Sequence, residues 1–225
     1  MKKIIPSIFM LSVCLASCRK EEVIQECPQV GQAPQAFLNY WYFPEGSYWV
    51  YKQRGSVPAI LDTVRAFSVK KRLFKPGENT FGLPTCVEIY ECNFSHSNRS
   101  FFRGLSSLQN FTGFEHISSL YTGDEWGAQQ ATEAGNMYSP GLILSFPLPS
   151  PGTRLTAAGP MLLDTMAVTV PAGQFRHSLH FAISFRDSTT ANFLRRYQLS
   201  RGIGYTRLVY TQLGTWELIA YKITP

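Results

Sequence analysis

The sequence predicts an all-β protein: an antiparallel sheet, curled into a half-barrel or folded as a sandwich, with at most one short helix. Three observations carry this expectation. From Phe37 onward, short apolar or alternating runs are separated by Gly, Pro, Asn and Ser, the punctuation of strands joined by turns. Aromatic residues make up 14% of the chain, and strands use Tyr, Phe and Trp freely. The clearest segment, residues 179–186, places Leu179, Phe181, Ile183 and Phe185 on one face and His180, Ser184 and Arg186 on the other. That period of two describes a strand with one buried and one wet face.

The elements follow in order. Lys2 and Lys3 precede a mostly apolar run from Ile4 to Leu15, and then Ala16, Ser17 and Cys18. A basic start, a short apolar core and small residues are the parts of a secretory signal. The run is too short to span a bilayer, which takes roughly 20 apolar residues. Residues 1–17 are therefore read as a signal peptide. Residues 18–36 are polar, carry Pro28, Gly31 and Pro34, and read as a flexible tether. Residues 37–225 then form a single β-rich domain, long enough to bury a real core.

Within that domain, strands are expected at 48–53, 63–74, 85–92, 100–103, 141–146, 165–170 and 179–186. A terminal hairpin pairs 205–211 with 216–223 around Leu213, Gly214 and Thr215. Residues 124–134 are expected to be helical. Phe43-Pro44-Glu45-Gly46-Ser47 and the run from Phe146-Pro147 to Gly152-Thr153 both pass from Phe-Pro through a glycine to a hydroxyl residue. A duplication would make two related β halves of the fold.

Leu15-Ala16-Ser17-Cys18 resembles a bacterial lipobox, in which cleavage precedes the cysteine and lipid is attached to it. Each buried lipid methylene adds about 0.8 kcal/mol, so several chains on Cys18 would anchor firmly. The opening Trp41-Tyr42-Phe43-Pro44-Glu45-Gly46-Ser47-Tyr48-Trp49-Val50-Tyr51 has later companions. They are Val170-Pro171-Ala172-Gly173-Gln174-Phe175 and Gly202-Ile203-Gly204-Tyr205. Together these resemble uncharacterised outer-membrane lipoproteins of the Bacteroidetes type. The resemblance implies a lipid-anchored protein of the outer membrane, facing periplasm or cell surface, and brings no catalytic residues with it.

The formal net charge is +6, and loss of Lys2 and Lys3 with the signal removes two of those charges. The longest basic run is Lys70-Lys71-Arg72, so no nucleic-acid partner is expected; the membrane, reached through the lipid, is. Export permits a disulfide. Cys14 leaves with the signal and Cys18 carries lipid, so Cys27, Cys86 and Cys92 remain, an odd number. Cys86 and Cys92 lie on one strand, roughly 20 Å apart at about 3.3 Å per residue, too far to bond to each other.

The search for chemistry finds no catalytic set, metal site or cofactor motif. Gly202-Ile203-Gly204 lacks the βαβ setting of a dinucleotide loop. Ser68-Val69-Lys70-Lys71 has the Ser-x-x-Lys spacing but falls in a strand without partner motifs. His177 and His180 point to opposite faces of a strand, and His96 and His116 are expected in surface loops. Paired carboxylates, as in glycosidases, look unsupported because acids are scarce. Three of the four Asp residues open Asp-Ser/Thr motifs, resembling acceptors for O-glycosylation at Thr63, Thr165 and Ser188. The function expected is a non-enzymatic binding or interaction module, with Trp41, Tyr42 and Trp49, beside Tyr48 and Tyr51, as ligand contacts. The alternative is an envelope-polymer hydrolase whose site is not visible in sequence.

Overall fold

Strands whose neighbours alternate in polarity can bury one face only by curving that face onto itself or onto another layer. The computed structural model of the chain describes residues 27, 29–76, 86–98, 114–132, 142–156, 159–183 and 194–225, and it takes the first course. Its strands are β1 (Val30–Gly31), β2 (Tyr48–Gln53), β3 (Leu61–Phe74), β4 (Cys86–His96), β5 (Phe114–Tyr121), β6 (Trp126–Thr132) and β7 (Leu142–Phe146). The second half adds β8 (Met161–Val170), β9 (Gly173–Ala182), β10 (Leu194–Ser200), β11 (Gly204–Tyr210) and β12 (Thr215–Lys222). A single four-residue helix, α1 (Gln35–Leu38), precedes β2.

All twelve strands join one sheet, in the order β7-β6-β5-β4-β3-β2-β12-β11-β10-β9-β8, with β1 pairing parallel to β4. Every neighbour on the main path is antiparallel. The sheet is thus two consecutive meanders joined at one seam, β2 against β12. It curls into a half-barrel, so that the first meander's far strands face the second meander. Tyr197 of β10 donates its hydroxyl to the carbonyl of Ile143 in β7 at 2.7 Å, and Tyr205 of β11 reaches Gln130 of β6. The two Phe-Pro turns seen in sequence stand before the opening strand of each meander, β2 and β8.

The concave face is filled from one end by the segment that carries α1. Phe37 is fully enclosed, which stabilises the fold by about 2–3 kcal/mol, and Leu38, Trp41 and Phe43 are buried beside it. Their rings meet edge to face in sequence: Phe37 with Trp41, Trp41 with Tyr42, Phe43 with Trp49, and Trp49 with Phe94 of β4. Gly204, at a φ of 89°, opens β11 directly against Phe43; a Cβ there would lie 3.0 Å from the ring.

Three expectations are corrected. Residues 126–132 form a strand, not a helix: Trp126, Ala128 and Gln130 face inward while Gln129 is exposed. The helix propensity of Ala and Gln is a weak preference, overridden where both neighbours supply ladder bonds. Residues 27–36 are not a free spacer, since Cys27 is bonded to Cys86, Val30 and Gly31 pair with β4, and Ala33 is buried. Neither β5 nor β10 was foreseen as a strand. The expected strand at 100–103 and the signal and lipidation segment lie outside the described residues. Cys86 and Cys92 are unpaired with each other, and Cys92 is a buried free thiol.

Candidate functional site

Strand pairing brings distant polar residues to one place on the concave face. Tyr51 of β2 faces Asp62 of β3, and Val64, two residues on, faces His96 of β4. Phe94, two before His96, faces Glu115 of β5, and Ile117, two beyond, faces Gln130 of β6. Residues two apart on a strand share a face. Asp62, His96, Glu115 and Gln130 therefore form a diagonal across four strands, and curling of the sheet brings Tyr205 to its end.

The contacts are continuous. The Asp62 carboxylate accepts from the Asn98 backbone N–H at 2.8 Å and from the Ser97 hydroxyl at 3.3 Å. Its other oxygen lies 2.7 Å from His96 Nδ1. His96 Nε2 lies 3.3 Å from Glu115 Oε2, and Glu115 Oε1 accepts from the Gln130 amide. Tyr205 donates its hydroxyl to Gln130 Oε1 at 3.2 Å. The His96 side chain is 2% exposed and that of Asp62 fully enclosed, so water does not screen this chain.

Burial alone would push the His96 pKa down. The hydrogen bonds and charges of Asp62 and Glu115 outweigh it, and the net direction is up. The imidazole is thus biased toward its cationic form, between two side chains that bring negative charge. Tyr51, Tyr205 and Tyr210 feel that charge: burial first, and Glu115 second, hold their phenols well above the usual range. They remain neutral donors, as Tyr51 does toward the Tyr205 carbonyl at 2.8 Å.

A catalytic histidine needs one ring nitrogen oriented by a carboxylate and the other turned to a nucleophile or substrate. His96 has the first half of that arrangement, but its second nitrogen faces Glu115. The arrangement can carry charge and lock strands together; it does not present a basic lone pair. Among the described residues, no three His, Cys, Asp or Glu side chains are placed to hold a metal ion.

A second polar row crosses the other meander. Asp164 of β8, His180 of β9, Gln198 of β10, Arg207 of β11 and Glu217 of β12 face one another strand by strand. His180 Nδ1 lies 2.8 Å from Asp164 Oδ1, yet burial holds the His180 pKa below the ordinary value. Arg207 is spent on Glu217 and on the Thr169 carbonyl. Among the described residues, His180 Nε2 and the side-chain Oε1 of Gln198 are enclosed without a hydrogen-bond partner. An ordered water is the usual occupant of such a place.

The structure puts the residues singled out from sequence in several settings. Trp41 and Trp49 are 2% and 3% exposed, and their rings pack the interior. Tyr42 is half-buried between Trp41 and Tyr90, with its hydroxyl near the Lys70 carbonyl. Tyr51 is buried, and Tyr48 lies under the Arg65 guanidinium. Thr63 is partly enclosed, Thr165 exposed, and Ser188 outside the described residues. His96 and His116 are corrected from loops to strands, His116 bonding Asn93 at 2.8 Å. The scarcity of acids also proved a poor guide, because two of them converge on His96. The signal was present in Cys92-Asn93-Phe94-Ser95-His96, whose alternation carries His96 to the inward face. No protein-family model, curated protein or solved structure matches this chain.

Proposed function

We propose that this chain is a lipid-anchored protein of the outer membrane, held through Cys18, whose β domain binds a partner or ligand and does no chemistry on it. One observation carries the second half of this reading. The acid–histidine–acid centre is closed on itself: both His96 nitrogens are engaged by carboxylates, and the centre is shut inside the sheet. Trp41 and Trp49 are consumed in packing, which leaves recognition to the outer surface. The lipobox sequence supports the anchor, and of the two described glycan-acceptor candidates Thr165 is the more open.

The test uses the full chain produced with its leader in a Gram-negative host. Labelled palmitate should enter the wild type and be absent from Cys18→Ala. The acylated protein should co-sediment with envelope polymer and release no soluble fragments. Fragment release that disappears in His96→Gln would overturn the binding reading in favour of a hydrolase. Intact mass without acyl groups would overturn the anchor.

A further inference from the structure

Between β2 and β3 the chain turns through residues 54–60, and this turn displays apolar side chains to solvent. Val57, Pro58, Ala59, Ile60 and Leu61 follow one another in sequence, and all are exposed. Val57 is 96% exposed, so almost nothing in the domain touches it, and Ile60 and Leu61 are 41% and 46% exposed. A folded chain seldom leaves such a run in water without a use for it. The run is held out rather than loose. The Ser56 hydroxyl donates to the Gln53 carbonyl and accepts from the Ile60 N–H, both at 2.9 Å. The Arg54 N–H donates to the Thr215 carbonyl at 2.8 Å, and the Gln53 amide to the Leu213 carbonyl. The turn between β11 and β12 thus braces this tip from the side.

The charges beside the tip are basic. Lys52 pairs directly opposite Leu61, Arg54 stands at the start of the turn, and both are exposed. Among the described residues neither forms an ion pair. The acids close by are committed elsewhere. Asp62 is turned inward to His96, and Glu217, opposite Lys52 on β12, holds Arg207 at 2.9 Å. A lysine or arginine lays its stem along apolar residues while its head stays in water. A protruding apolar tip with bases behind it suits the boundary between anionic headgroups and acyl chains. The same bases oppose a tip-to-tip contact between two copies, where like charges would meet.

We propose that the tip between β2 and β3 enters an anionic lipid surface, with Val57, Ile60 and Leu61 at the headgroup boundary and Lys52 and Arg54 on the phosphates. The tip makes this contact by itself, so the docking does not rest on the lipid at Cys18. It does set how an anchored domain lies. Cys27 is bonded to Cys86, beside the Phe74 end of β3, and the tip is at the Leu61 end, roughly 45 Å away along the strand. The stretch from Cys18 to Cys27 reaches about 30 Å at most. Anchor and tip therefore meet one leaflet only when β3 is inclined to it.

The test places a polarity-sensitive fluorophore on Ala59→Cys in the full chain as its host processes it, with Leu73→Cys at the other end of β3 as the control position. Cys92 is buried and Cys27 is bonded to Cys86, so among the described residues the new thiol is the reactive one. In phosphatidylcholine vesicles containing phosphatidylglycerol, the label at 59 should shift to the blue and be quenched by spin-labelled lipid, while the label at 73 stays wet. Val57→Asp should leave the label at 59 wet without lowering the melting temperature, since Val57 packs against almost nothing. Lys52→Gln with Arg54→Gln should lower the docked-to-undocked ratio about fivefold per base. Protein that floats with the vesicles while the label at 59 stays wet overturns the docking alone and leaves the tip to a protein partner. A label at 59 that dries equally in pure phosphatidylcholine also overturns it, as does one that dries in detergent as protein concentration rises, the sign of a second copy. Protein without acyl groups that still floats with anionic vesicles, and ceases to in Val57→Asp, upholds the docking while the anchor falls.

Discussion

Replacing His96 by Ala removes the cation between Asp62 and Glu115 and leaves two enclosed carboxylates facing each other. Breaking a buried pair in this way costs about 3–5 kcal/mol, because the remaining charges keep their desolvation penalty without its compensation. For a domain of this size, about 2–4 °C of melting temperature is lost per kcal/mol, so the variant should melt roughly 6–20 °C below the wild type. The loss should depend on pH. The folded pKa of His96 is raised above its unfolded value of about 6.5. The imidazolium's contribution is therefore complete below that value and disappears as pH climbs through the folded pKa. The gap between wild type and variant, read by circular dichroism on heating, should be wide at pH 6 and narrower at pH 9. Asp62→Asn, His96→Gln and Glu115→Gln together should recover most of the loss, since no charge is then left unpaired. A His96→Ala protein melting within about 2 °C of wild type, or a gap indifferent to pH, would refute the reasoning.

Three further outcomes are expected. Cys27→Ser should lower unfolding stability by about 4 kcal/mol, the loop entropy of a crosslink spanning 59 residues, read as a lower denaturant midpoint that reductant reproduces in the wild type. Burial pushes the Cys92 thiol up to about 12, so alkylating reagents at pH 8 should leave it untouched in folded protein and modify it in guanidinium; rapid labelling of the folded state would contradict the enclosure. Gly204→Ala should cost about 1–3 kcal/mol, since its φ of 89° strains any side chain and the new Cβ meets Phe43; an unchanged melting temperature would show that β11 can shift.

The fold class was legible because alternation is a local property, and residues 179–186 display it without help from the rest of the chain. The strand at 126–132 was not, because Ala and Gln say little about face and only the ladders on either side decide the matter. The tether was misread for a similar reason: Cys27 could join either remaining cysteine, and a two-residue strand leaves no periodicity to see. The polar centre was half legible. His96 continues an inward alternation, but its partners come from 34 positions before and 19 after, and only pairing brings them together. Asp62 shows what a local motif leaves out. Its Asp-Thr-Val context suggests a glycan acceptor, while its carboxylate is committed to the interior.

The seam between β2 and β12 has a consequence for how the protein is made. β2 pairs with β12, from Gln53 opposite Trp216 to Tyr48 opposite Lys222, so the hydrogen-bonding edge of β2 has no cover until the C-terminal residues arrive. A chain synthesised from its N-terminus exposes that edge until its last residues are made, and an exposed strand edge invites pairing with any extended segment nearby. A chain halted just before Thr215 would retain β2–β7 and β8–β11 and still lack the strand that joins them. The yield of folded protein should therefore be far more sensitive to loss of the last ten residues than to changes of similar size at the outer strands, β7 and β8.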